Sequence, residues 1–428
     1  MRPTALAAAV SLAALAIAAP AAAAPPAPEK AVAKIVASPA FKAAADRLAA
    51  DHERTVADIV TFTEIPAPPF KEAARAKAYE ARFRELGLAD VEIDPEGNVL
   101  GLRKGTGKGP LVVFAAHLDT VFPEGTDVKV RREGTKLMAP GIGDDTRSLA
   151  VLLAYVRAMD AAKIKTRGDI LFVGNVGEEG PGDLRGVRYL FTKGKYAGRI
   201  GAFISMDGTD ATRIVTGGVG SKRYRVTFKG PGGHSYGAFG IVNPMAAMAR
   251  AVDRLYSVET PKEPKTTYAA SVTGGGTSVN SIPHDVWTEF DMRSESAAEL
   301  AGLETRFRQI VDESVAAENA ARSTRFGPVS AEYSLIGDRP AGHTPDDAVI
   351  ARAAAAAIKA QGLTPGFESS STDANIPMSL GIPAITIGSG GIAGRAHALD
   401  EWIDVAPEAS VKGMVTGLAT LLAVVGVD

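Results

Sequence analysis

The chain reads as an α/β protein: a three-layer αβα main domain with a smaller α+β domain inserted into it. Three observations predict this. Apolar runs at residues 111–116, 170–176 and 202–206 have the length and continuity of strands buried on both faces. Segments with helical apolar spacing alternate with them, as at Leu149, Leu152, Leu153 and Val156, and that alternation argues for a mostly parallel sheet covered by helices. Between residue 216 and about residue 335 the order changes to strand, helix, strand, strand, helix, strand, which is the split βαβ, or ferredoxin-like, unit.

The elements follow in order. Residues 1–24 form a targeting segment: Arg2 supplies the positive start, residues 5–19 are apolar, and Ala21 to Ala24 are small enough for cleavage. The apolar stretch is short for a bilayer span. Residues 25–39 read as a linker opening on the extended spacer Pro25-Pro26-Ala27-Pro28. Residues 40–62 are helical, and the prolines of residues 65–69 break the pattern. A helix over 71–86 and two strands at 91–94 and 99–103 lead to the strand at 111. A helix follows over 145–160, and strand, acidic turn and helix recur over 169–191. The inserted domain (216–337) carries strands at 222–228, 266–273, 285–292 and 331–335 and helices at 243–256 and 297–316. The parent domain (40–215 and 338–428) resumes with a helix at 348–361, a strand at 382–387 and a helix at 407–424.

Composition narrows the function. With 428 residues, 46% hydrophobic and 22% charged, the chain has enough apolar content for two packed domains. A net charge of −2 with no basic cluster excludes a nucleic-acid partner. The absence of cysteine excludes disulfides, thiolate metal ligands and a lipid-modified cysteine. Export to a periplasm or the medium is expected, with no stable membrane association once the segment is cleaved.

Chemistry gathers where apolar runs end. The 111–116 run passes into His117-Leu118-Asp119, and a two-residue spacing keeps both side chains on one side if the strand continues. Acidic stations follow at Asp144-Asp145, Glu178-Glu179 and Asp207, and a second histidine at His397. In parallel sheets ligands collect beyond the carboxyl ends of strands, and mixed imidazole and carboxylate groups suit zinc, with cobalt or manganese acceptable. Taken singly, each station has a plainer reading. Glu178-Glu179 would serve as an acidic first turn of a helix, and Asp144 or Asp145 as a helix cap.

Taken together, the stations resemble the M20 family of co-catalytic zinc metallopeptidases, and most of all its peptidase T-like branch of tripeptidases and aminopeptidases. The similarity runs over residues 50–425 and includes Gly230-Pro231-Gly232-Gly233-His234-Ser235, the segment from Gly275 to Pro283, Asp291-Met292-Arg293 and His397-Ala398-Leu399-Asp400-Glu401. The resemblance implies a zinc-exopeptidase fold with a lid domain and two zinc ions. Asp144 would bridge them, with His117 and Asp207 completing one site and Glu179 and His397 the other. It also implies Glu178 as general base and Asp119 as the group that orients His117 without binding metal. His234 would stabilise the oxyanion, often across a dimer in relatives, or else be a simple turn residue. Asn280 and Arg293 match positions that hold substrate carboxylate or amide groups. For Arg293 an ion pair with Asp291 or Glu289 is the competing role. His52, His284 and His343 receive none.

Thr146-Arg147 and the run from His234 to Asn243 depart from the commoner family pattern, which weakens the inference of a homodimer through the lid. Aspartate at 207 goes, among relatives, with enzymes that act from a free amino end. Hydrolysis of short peptides is therefore expected. A deacylase or carboxypeptidase-type amidohydrolase is the alternative within the family, and a non-catalytic peptide- or metal-binding protein the alternative outside it.

Overall fold

The computed structural model describes residues 27–428; the targeting segment at 1–24 lies outside the described residues. Nine strands form the main sheet. At its centre Ile170–Asn175, Leu111–His117, Ile200–Met206 and Ala384–Ile387 lie side by side and parallel. On each side strands pair antiparallel to their inner neighbours: Val99–Arg103 and Ala89–Ile93 on one side, Arg213–Gly218 and Gly342–His343 on the other, where Gly366–Ser370 also pairs parallel to Arg213–Gly218. The sheet is thus mixed rather than mostly parallel, because a hairpin extends one edge of the parallel core and strands from either side of the inserted domain extend the other.

The Leu111–His117 strand explains the layers. Val112, Phe114 and Ala116 point into a core shared with helices Pro39–Ala50, Arg147–Ala161, Val349–Ala360 and Pro407–Val425. Val113 and Ala115 point into a second core with Leu184, Val187, Leu190 and Met378 on the opposite face. Alternate residues therefore feed two apolar layers, which is why the run is apolar throughout. Among the described residues only Pro407–Val425 is long and apolar enough to cross a membrane, and its middle is buried in the first core.

Gly220–Lys229, Thr266–Gly275, Asp285–Ser294 and Ser330–Arg339 form a separate antiparallel sheet. Helices Pro244–Leu255 and Ala297–Ala321 pack on one face through Met248, Leu255, Leu303, Phe307 and Ile310. This is the ferredoxin-like lid, with Arg339 as the final residue of its last strand.

A further expectation is corrected. Pro28–Ala37 is a helix, not part of a linker. Proline at its first position is compatible with a helix start, Val32 joins the main core, and Glu29 takes two bonds from Arg352 (2.9 and 2.8 Å). The residue 40–62 pattern is two helices, Pro39–Ala50 and His52–Thr63, meeting at Asp51.

Candidate metal centre and active site

The site lies at the carboxyl end of the parallel strands. His117 is the last residue of its strand and pairs with Asn175 at the end of the next. Asp207 directly follows Met206, and Glu178 and Glu179 follow the strand that ends at Asn175. Asp144 and His397 arrive from elsewhere. Four short strands form a small second sheet of the main domain, in which Trp402–Asp404 pairs with Lys136–Met138 on one side and Ile392–Gly394 on the other. That pairing sets the segment before Arg147–Ala161 beside the loop carrying His397.

The imidazoles face carboxylates. His117 Nε2 is 2.9 Å from Asp144 Oδ1, and His397 Nε2 is 3.1 Å from both Asp144 Oδ2 and Glu179 Oε1. Single side-chain atoms of His117, Asp144 and Glu179 lie within 4.8 Å of one another, as do those of His117, Asp145 and Asp207. The second trio names Asp145, but its Oδ2 accepts the His117 main-chain N–H at 3.1 Å. Asp144 instead turns each oxygen toward a different imidazole, so it is the better bridging group. His397 has φ of +65°, an unfavourable conformation for a non-glycine residue of the kind that clusters at functional sites.

Neither plainer reading of the acidic stations holds. The Arg147–Ala161 helix starts without a side-chain cap, and Glu179 precedes only a single turn of 3₁₀ helix and caps nothing.

Asp119 holds His117 and also does more than expected. The strand ends at His117, so strand alternation does not set where Asp119 points. His117 Nδ1 donates to the Asp119 main-chain oxygen at 3.0 Å, while the nearest carboxylate oxygen is 3.7 Å away. The carboxylate instead accepts the N–H groups of Gly177 (2.9 Å), Glu178 (3.2 Å) and Glu179 (2.9 Å). Asp119 thus fixes the His117 tautomer through its backbone and the glutamate loop through its side chain. Gly177 permits the turn: its φ is +74°, and a Cβ there would meet Arg185 Cγ at 2.6 Å. Arg75, fully buried, donates to the Leu118 oxygen at 2.7 Å and secures the same segment from behind.

From this follows a prediction. Asp119→Asn turns one acceptor into a donor facing a buried N–H, at a cost of about 2 kcal/mol. A displaced glutamate loop lowers kcat by about 100-fold. Denaturation midpoints and kcat, measured together, check both; unchanged kcat would remove Asp119 from this role.

Glu401 was quoted in a motif but given no role by sequence reasoning. It is buried, and it accepts the N–H groups of Gly141 (2.9 Å), Gly143 (2.7 Å) and Asp144 (3.0 Å). It therefore shapes the loop that presents Asp144. Burial pushes its carboxyl up to about 7 despite those bonds. The only advance signal was its place four residues after His397.

The donor set fits divalent cations. Because His117 Nδ1 gives its proton to a carbonyl, which only accepts, the neutral ring turns a lone pair at Nε2 toward an Asp144 lone pair 2.9 Å away. Two lone pairs at that distance require a shared cation or a proton. Burial lowers His117, but Asp119 and Asp144 outweigh it and raise the ring well above its usual value. His397 is lifted to about 10 by Asp144 and Glu179, and Asp207 to about 6 by burial and Asp144. Burial also raises Glu178, against the pull of Arg339. Buried carboxylates outnumber buried cationic groups here, which is the charge pattern of a metal centre.

These groups open on a cavity of about 690 Å³ lined by Asp144, Glu178, Glu179, Asp207 and His397 on one side and by Arg223 and Arg293 of the lid. Arg293 also pairs with Asp291 at 2.7 Å, which Arg223 shares at 3.0 Å, so the competing ion-pair role is present at a residue that lines the cavity. His234 and Asn280 do not line this cavity. They sit together at the exposed lid tip, where His234 Nδ1 accepts from Tyr236 N (3.2 Å) and the Asn280 main-chain oxygen accepts from Ser235 N (2.9 Å).

Residues 113–425 match the family described as Peptidase family M20/M25/M40. The chain belongs to that family. It is a family metallohydrolase, and the family has a dinuclear metal site. The succinyl-diaminopimelate desuccinylase of Leptothrix cholodnii is 28% identical over 262 residues, 56% of this chain and 66% of that protein. That of Cupriavidus necator is 31% identical over 260 residues, 54% and 67%. The chain spans between about a third and two thirds of the length of the curated relatives it matches. Aminopeptidase PepT from Bacillus cereus superposes with a TM-score of 0.71 at 21% identity, covering 88% of this chain and 99% of that one. A tripeptidase from Staphylococcus aureus superposes at 0.72 and 20% identity, covering 87% and 98%. At these identities the two structures establish a shared fold.

Proposed function

We propose that the chain is a dizinc exopeptidase that hydrolyses short peptides from the free amino end. One observation carries the reading. A cavity of short-peptide size has acid and imidazole groups on the main-domain side and two arginines sharing one aspartate on the lid side. Two guanidinium groups on one carboxylate leave a positive charge for a substrate carboxylate, which arginine binds bidentately. The fold shared with an aminopeptidase and a tripeptidase supports the same choice.

His117, Asp144 and Asp207 would hold one ion, and Asp144, Glu179 and His397 the other; zinc suits this donor set, with cobalt or manganese as substitutes. When bound, such a pair supplies Lewis-acid polarisation and an acidified water near neutral pH. Glu178 takes the proton of the attacking water as its oxygen bonds to the carbonyl carbon. It then delivers that proton to the amine as the C–N bond breaks. Arg293 orients the substrate by its carboxylate. His234 and Asn280 would contribute only by lid closure or from a second copy docked at the lid.

A second reading, removal of an acyl group from an N-acylated amino acid, is favoured by the desuccinylases among the sequence relatives. Metal-reconstituted protein offered free-amino di- and tripeptides beside N-acylated amino acids separates the two. Turnover of the free-amino peptides is expected, and release from N-acylated compounds alone would reverse the assignment. Export to a periplasm or the medium belongs to the same proposal. Mass spectrometry of the mature amino terminus tests it, and a protein retaining Met1 would oppose it.

A further inference from the structure

Arg339 is the last residue of the lid strand Ser330–Arg339, yet its side chain reaches the main domain. It is 4% exposed. Nη2 donates to the Glu178 main-chain oxygen, and Nη1 to Glu178 Oε1 at 3.3 Å and Ser371 Oγ at 3.2 Å. One guanidinium thus grips both ends of the same glutamate. Among the described residues no hydrogen bond within the chain engages Glu178 Oε2, and Glu178 lines the cavity.

The platform behind Arg339 is firm. Asp338 N donates to Asp183 Oδ1 at 2.9 Å, and Arg188 Nη2 donates to the Asp338 oxygen at 2.7 Å. Asn375 Nδ2 donates at 2.9 Å to both Val219 O and Pro340 O, one on each strand of chain that crosses between the domains. The end of the lid strand and the glutamate loop are therefore one bonded unit, although 161 residues separate Arg339 from Glu178.

We propose that Arg339 is a positioning residue for the reaction: it fixes Glu178 by its carbonyl and Oε1, leaving Oε2 to face the water whose proton it takes. The inference rests on Glu178 being the general base. It makes the aim of the base depend on where the lid strand ends.

Arg339→Ala and Arg339→Lys, each loaded with zinc and assayed on a tripeptide, test this. The expected result is a fall in kcat of about 100-fold in Arg339→Ala, from misplacement of the base by an ångström or so, with KM changed less than about threefold. Zinc content should equal that of the wild type. Guanidinium at non-denaturing concentration should restore Arg339→Ala by about tenfold and leave Glu178→Ala unchanged. If Arg339→Ala does not fold, Arg339→Lys decides by its kcat and KM, because an ammonium lacks the fork that serves both acceptors. Near-normal kcat, a fall expressed in KM, loss of zinc or absence of rescue each overturn the proposal. Wild-type protein without turnover on any peptide or N-acylated compound would instead sink the underlying function, and this inference with it.

Discussion

Glu178→Ala lowers kcat by about 10³- to 10⁴-fold, the contribution of a positioned general acid–base group, while metal content stays at the wild-type value. The two halves of this expectation have separate causes. Glu178 is engaged by Arg339 and lines the cavity, but it does not belong to either trio of close donor atoms. Its removal takes away a proton carrier and leaves His117, Asp144, Glu179, Asp207 and His397 in place. The fall should appear in kcat and kcat/KM alike, because the proton moves only as the transition state forms. Single-turnover measurements beside metal analysis check it. Loss of metal would mean that Glu178 is a ligand, and near-normal turnover would mean that another group carries the proton.

The second large effect is that of Asp144→Asn. Asp144 faces His117 through one oxygen and His397 through the other. An amide keeps the shape but turns a donor toward one of these positions and gives up the charge that two cations share. Metal content should fall from two ions to at most one, and kcat by about four orders of magnitude. That corresponds to losing several kcal/mol of charge stabilisation, at about 1.4 kcal/mol per decade. Asp145→Asn provides the contrast. Asp145 Oδ2 accepts the His117 N–H, so its replacement should disturb packing while ions remain. Equal metal loss in both variants would contradict the assignment of the bridge to Asp144.

Much of this was legible before the fold. Buried parallel strands announce themselves as unbroken apolar runs, and the acids and imidazole beyond them fall on one edge of the sheet by geometry alone. The lid was legible from the order of its elements. The joining elements were not. Lys136–Met138, Ile392–Gly394 and Trp402–Asp404 have three residues each, too few for an alternation to register, yet they bring Asp144 and His397 together. Pro25 to Pro28 signalled an extended spacer, but Pro28 begins a helix whose stability comes from packing Val32 into a distant core. Glu401 and Arg339 act through contacts far along the chain, and local pattern holds no trace of such partners. Asp119 was assigned the right neighbour, but the hold of its carboxylate on the glutamate loop was not foreseen, since that depends on how the chain turns after His117.

The proposed function stands or falls with a two-cation hydrolytic centre built from these side chains. Its most direct test strips the protein with a chelator and restores zinc stepwise, following bound metal and peptide hydrolysis together. Negligible turnover is expected in the stripped protein, with a rise that saturates at two zinc ions per chain. Full turnover in metal-free protein would contradict it.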